Sequence, residues 1–98
     1  PGDTTNAPPN NKFLNISLKD RFNAVNRCHY FRQPNGTAFE GCPTPLKAQE
    51  FIGYREVYWY STINVMVKLI EFYPMHGRVW TNFYNNGTWT GWKSITPV

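Results

Sequence analysis

From Ile63 to Leu69 the chain alternates, with Ile63, Val65, Val67 and Leu69 on one side and Asn64, Met66 and Lys68 on the other. A period of two marks a strand with one face on a core, and the Ile63 set is expected to face it. Pro74 and Gly77 end this strand. Arg78 to Tyr84 alternates again, with Val79, Thr81 and Phe83 against Arg78, Trp80, Asn82 and Tyr84. Here the Val79 set is assigned to the core, which leaves Trp80 and Tyr84 on the open face. Asn86-Gly87 follows, and Asn-Gly between alternating runs signals a tight hairpin because both residues tolerate positive φ. Trp89 to Ile95 is the expected return strand, with Gly91 marking a bulge or a ring packed on the backbone.

The upstream half is less regular. Val25 to Phe31 and Glu50 to Tyr60 are rich in aromatic and branched residues, which fits strands. Between them, Gln33 to Pro45 is broken by Pro34, Asn35-Gly36, Gly41, Pro43 and Pro45. That segment reads as a long loop, with Phe39 anchoring it to the core. Ser17-Leu18-Lys19-Asp20 offers a cap and one helical turn, or an irregular entry. Residues 1–12 read as a polar linker or tail, and 13–98 as the ordered domain. The pattern therefore predicts an all-β or β-rich α+β fold. It is a small antiparallel sheet of four or five strands, with a C-terminal Asn-Gly hairpin, a long irregular loop and at most one short helix.

Composition narrows the functional classes. Aromatic residues make up 17% of the chain and charged residues 16%, where about a quarter charged is usual. Disorder is excluded by that balance. The formal net charge is +4, a modest excess that suits an anionic partner or simply solubility. The most apolar stretch, Ile63 to Tyr73, carries Asn64, Lys68 and Glu71, so no membrane insertion is expected. Pro1 to Asn11 lacks a signal-peptide core, and a start at Pro rather than Met suggests a piece of a longer chain.

Catalysis finds no support in the residues. The six acidic residues show no spacing that recommends a pair, and His29, His76 and the serines sit in no nucleophile motif. Cys28 and His29 are adjacent, so on a strand they point to opposite faces. Phosphate loops, dinucleotide fingerprints and metal motifs are absent from the sequence. No enzyme activity, cofactor or metal is expected.

The aromatic set is the informative feature. Strand alternation cannot bury both faces of Tyr58-Trp59-Tyr60, so some rings are exposed or lie between subunits. Exposed rings beside Asn, Thr and Lys resemble a sugar-stacking platform. The ligand-binding candidates are Tyr58, Tyr60, Trp80 and Tyr84, with Lys68 and Arg78 positioned to attract a phosphate. Trp89 and Trp92 are assigned to structure, pinning the C-terminal hairpin.

The run from Val79 to Ile95, with its aromatic strand, Gly87-Thr88-Trp89 hairpin and second tryptophan at Trp92, resembles the C-terminal ending of phage tail-fibre and pyocin knob domains. A looser similarity extends upstream through the Cys28-His29-Tyr30-Phe31 strand and the Cys42-Pro43-Thr44-Pro45 loop. The resemblance implies a trimeric appendage tip, made in the bacterial cytoplasm and carried on the virion, that attaches to a host-surface glycan or an anionic wall polymer. It also implies two free thiols, since such proteins assemble in a reducing compartment. Two alternatives remain open on the residues. One is a module that trimerises or caps the fibre without touching a receptor. The other is a small single-stranded nucleic-acid binder, the less favoured of the two because no RNP signature is visible.

Overall fold

The computed structural model describes residues 11–23 and 25–96. Most of the expected linker therefore lies outside the described residues. A short helix, α1 (Leu18–Asn23), precedes β1 (Arg27–Gln33). A long loop containing a 3-10 turn at Thr44–Leu46 leads to β2 (Phe51–Ser61), β3 (Asn64–Tyr73) and β4 (Val79–Asn85). Two short strands follow, β5 (Thr88–Trp89) and β6 (Lys93–Ile95). All pair antiparallel in one six-stranded sheet of order β1-β2-β3-β4, with β5 and β6 both on the outer edge of β4. The β-rich expectation holds, with one strand more than its upper count.

The extra strand comes from a break. Where the sequence suggests one return strand from Trp89 to Ile95, the chain leaves the ladder at Thr90–Trp92 and rejoins it at Lys93. Gly91 adopts φ +99° there, and its N–H donates to Asn82 Oδ1 at 2.9 Å. The hairpin itself is as the dipeptide indicates: Asn86 and Gly87 have φ of +46° and +97°, between the paired Asn85 and Thr88. Two positive φ values in a two-residue loop match the twist of the flanking strands.

One sheet face is covered. Phe31, Phe51, Leu69 and Trp80 pack with Phe13, Phe39, Cys42 and Leu46 from the entry segment and the long loop. Val57, Trp59, Val65 and Val67 form an adjoining cluster with Leu14, Ile16, Tyr84, Trp89 and Trp92. Each large ring or branched side chain buried this way contributes about 1.5–3 kcal/mol. Phe39 anchors the loop as expected, at 7% exposure.

Polar staples hold the covering segments. Gln33 is fully buried. Its Nε2 donates to Leu46 O at 2.8 Å and Gln49 O at 3.0 Å, and its Oε1 accepts from Phe39 N at 2.8 Å. Arg55, 1% exposed, donates through Nε to Phe13 O at 2.7 Å and through Nη2 to Asn15 O. Burial lowers the Arg55 pKa to about 10, which still leaves the guanidinium charged at neutral pH.

Two facing assignments need correction. Ile63 lies in the turn before β3 and is exposed, not core. On β4 the faces are reversed: Trp80 and Asn82 are buried, while Phe83 is 48% exposed. Alternation divides a strand into two sets but does not choose between them. Register chooses, and it sets Trp80 opposite Leu69, Asn82 opposite Val67 and Tyr84 opposite Val65 on the covered face.

Cys28 and Cys42 are both free thiols. Burial pushes the Cys42 thiol up to about 11, so it is almost entirely protonated at pH 8. Thiol titration of the unfolded, unreduced chain should count two, and Cys42 should label in the native state only at the unfolding rate. Rapid native labelling of Cys42 at pH 8 would contradict the packing of the loop.

Candidate ligand groove on the open sheet face

The second face of the sheet carries no covering segment among the described residues. Antiparallel register lines its side chains into rows that cross the strands. Nearest the β2–β3 hairpin, Tyr58 opposes Met66, which opposes Phe83. The next row runs Cys28, Glu56, Lys68, Thr81 and Lys93. These positions face outward because their neighbours Val57, Val67 and Asn82 face the core.

A groove of about 770 Å³ crosses the strands at the hairpin end. Its apolar walls include Tyr58, Tyr60, Met66 and Phe83. Asn26, Asn64, Asn85 and Thr90 supply amide and hydroxyl groups, and Trp59, Val65 and Tyr84 complete it. No charged residue lines it. The volume is in the range of small-ligand sites. Tyr60 is 90% exposed and Tyr58 39%. The Tyr58 hydroxyl donates to Glu56 Oε1 at 2.9 Å, which fixes the ring's tilt. Burial, then the Glu56 carboxylate, raises the Tyr58 pKa, so the phenol remains a neutral donor.

The six sequence candidates separate on this framework. Tyr58 and Tyr60 meet in the groove. Tyr84 borders it but lies half-buried on the covered face, its ring 5.3 Å from that of Trp89. Trp80 is not an exposed ring: it is 6% exposed, and its Nε1 donates to Glu71 Oε1 at 2.9 Å. Arg78 binds the same carboxylate, Nε to Oε1 at 2.7 Å and Nη2 to Oε2 at 2.9 Å, and lies 5.0 Å over the Trp80 ring. Lys68 is on the open face, 4.0 Å from Glu56. The two cations expected to attract a phosphate therefore each face a carboxylate of their own chain.

Phe83 was not legible as a groove residue, because the β4 core face was assigned to the wrong set, whereas Met66 was placed on the open face but not joined to the tyrosines. The cross-strand register that joins Tyr58, Met66 and Phe83 arises only on pairing. Among the described residues no group of His, Cys, Asp and Glu is arranged to hold a metal ion, and no helix is long and apolar enough to cross a membrane. Comparison with protein-family models, curated proteins and solved structures finds no match to this chain.

Proposed function

We propose that this domain is an attachment module of a phage tail fibre or a similar appendage, and that its hairpin-end groove binds a neutral host-surface glycan. The observation that carries the reading is the lining: exposed rings interleaved with amides and a hydroxyl, without a charge. Ring faces stack on the apolar faces of pyranoses, while amides satisfy sugar hydroxyls that would otherwise be desolvated unpaired. Of the two ligand classes the resemblance implies, the uncharged lining favours a neutral glycan over an anionic wall polymer. The same reasoning weakens the nucleic-acid alternative, which needs a track of free cations for the backbone. Arg27 pairs with Asp20 at 3.0 Å and Arg32 with Glu50 at 2.8 Å.

The test is a glycan array probed with the 98-residue chain, carrying neutral and phosphate-bearing bacterial oligosaccharides. Binding to neutral members is expected, insensitive to salt. Tyr60→Ala removes a ring that is 90% exposed, so it should leave the far-ultraviolet circular dichroism unchanged. It should weaken binding at least about tenfold, or ~1.4 kcal/mol. Binding confined to phosphorylated members, or indifference to Tyr60→Ala, would refute the groove assignment.

A further inference from the structure

The hydrogen-bonding groups of the groove are unbalanced, and the imbalance selects among sugars. A sugar hydroxyl both donates and accepts, so a polyhydroxylated ring needs acceptors around it as well as donors. The lining holds no carboxylate. Two of its acceptors are already engaged by backbone: Asn26 Oδ1 accepts from Trp59 N at 3.0 Å, and Thr90 Oγ1 accepts from Phe83 N at 3.3 Å. Both residues keep their donors, the Asn26 Nδ2 protons and the Thr90 hydroxyl proton. Asn64 donates one Nδ2 proton to Ser61 Oγ at 3.3 Å and keeps its carbonyl oxygen. Asn85 is exposed and spends neither half of its amide on a hydrogen bond among the described residues. Donors are therefore in excess. Register sets these amides beside an apolar floor. Asn64 pairs with Asn85, and Met66 with Phe83, across β3 and β4. Rows on one face of a strand pair are about 6.8 Å apart. The amide pair thus lies one row from the Met66–Phe83 pair, with Tyr58 on the far side of Met66.

We infer that the sugar held in the groove carries an acetamido group, an inference that rests on the neutral-glycan reading above. Replacing a hydroxyl by an acetamido group supplies a carbonyl acceptor, which a donor-rich lining requires, and a methyl group, which the apolar floor takes out of water. A hydroxyl in the same place brings a further donor to a lining short of acceptors, and a polar group buried without its partner weakens binding. The de-acetylated amino sugar fits worse, because no carboxylate in the lining faces its ammonium. In a secondary amide the C=O and N–H point in opposite directions, so two amides on neighbouring strands hold it better than one. Asn85 Nδ2 donates to the acetyl carbonyl. Asn64, whose Nδ2 is engaged by Ser61, accepts the acetamido N–H on its Oδ1. The methyl then lies toward the next row, against Met66 and Phe83.

Matched pairs of neutral oligosaccharides test this, each pair differing only in one acetamido-for-hydroxyl replacement and drawn from the gluco, galacto and manno series. They are titrated into the 98-residue chain by isothermal calorimetry. At least one acetamido member should bind about tenfold more tightly than its hydroxyl counterpart. In saturation-transfer NMR its acetyl methyl should be the most strongly saturated group. Asn85→Asp keeps the shape and the acceptor at an exposed position but removes the donor. It should abolish the acetamido preference with circular dichroism unchanged, a change in the ratio within a pair that a merely structural role would not produce. Hydroxyl members that bind as well as their acetamido counterparts in every series would overturn the acetamido assignment and leave the neutral-glycan reading standing. So would a preference that survives Asn85→Asp. Absence of binding by every neutral member would remove that reading, and this inference with it.

Discussion

Gly53→Ala is expected to prevent the native sheet from forming, or to destabilise it by more than ~4 kcal/mol, a range reached only by severe conflicts in the interior. Gly53 is buried in β2, between Phe31 on β1 and Glu71 on β3. A Cβ built there would stand 1.9 Å from the Ile70 carbonyl oxygen and 3.0 Å from its carbon. The obstacle is backbone, which has no rotamer by which to escape. Relief requires β2 and β3 to separate, and those two strands carry the most extensive pairing in the sheet. The close approach coincides with the register shift between Ile52 and Gly53, and a glycine inside a strand is a mark of such an approach. With total stability of a domain this size at ~5–15 kcal/mol, the variant should be insoluble or melt far below wild type. Urea denaturation checks it: a soluble variant with a midpoint near wild type would show that the strands can move apart cheaply.

Glu71→Ala is expected to cost ~3–5 kcal/mol, the range found when one partner of a buried ion pair is removed. The Glu71 side chain is fully buried, and its two oxygens accept from four donors. Arg78 supplies two of them, Trp80 Nε1 the third, and Met75 N the fourth at 2.9 Å. Truncation would strand a guanidinium that is only 16% exposed and orphan a buried indole N–H, each a desolvated group without its acceptor. Glu71→Gln keeps an acceptor oxygen and should lose less. Arg78→Met added to Glu71→Ala should recover part of the loss, because the uncompensated charge goes with it. Chemical denaturation followed by tryptophan fluorescence reads all three, since Trp80 reports on the same cluster. A Glu71→Ala midpoint within error of wild type would mean that water replaces the carboxylate without penalty.

These two positions also show how far the sequence reaches. Period-two alternation placed β4 and the start of β3 to within a residue, because hydrophobic spacing is a local property of the chain, and Pro74 marked the end of β3. Asn86-Gly87 located the hairpin for the same reason: the allowed φ of two adjacent residues is written in their identity. Phe39 was recognised as a loop anchor because an aromatic residue among turn formers has little else to do than bury its ring.

What pairing decides was not legible. Alternation left both faces of β4 carrying rings, and only the register against Leu69, Val67 and Val65 turned Trp80 inward and Phe83 outward. Glu71, Arg55 and Gln33 look like surface residues in the sequence. Each is buried because its partners, the Arg78 guanidinium, the Phe13 and Asn15 carbonyls and the Leu46 carbonyl, are brought to it by the fold. The groove is likewise a product of register, assembled from residues on three strands. Sequence by itself determined that this chain forms an antiparallel aromatic sheet with a tight C-terminal hairpin. Tertiary structure alone decided which rings face solvent and which charges are already paired, since both depend on contacts between residues far apart in the chain.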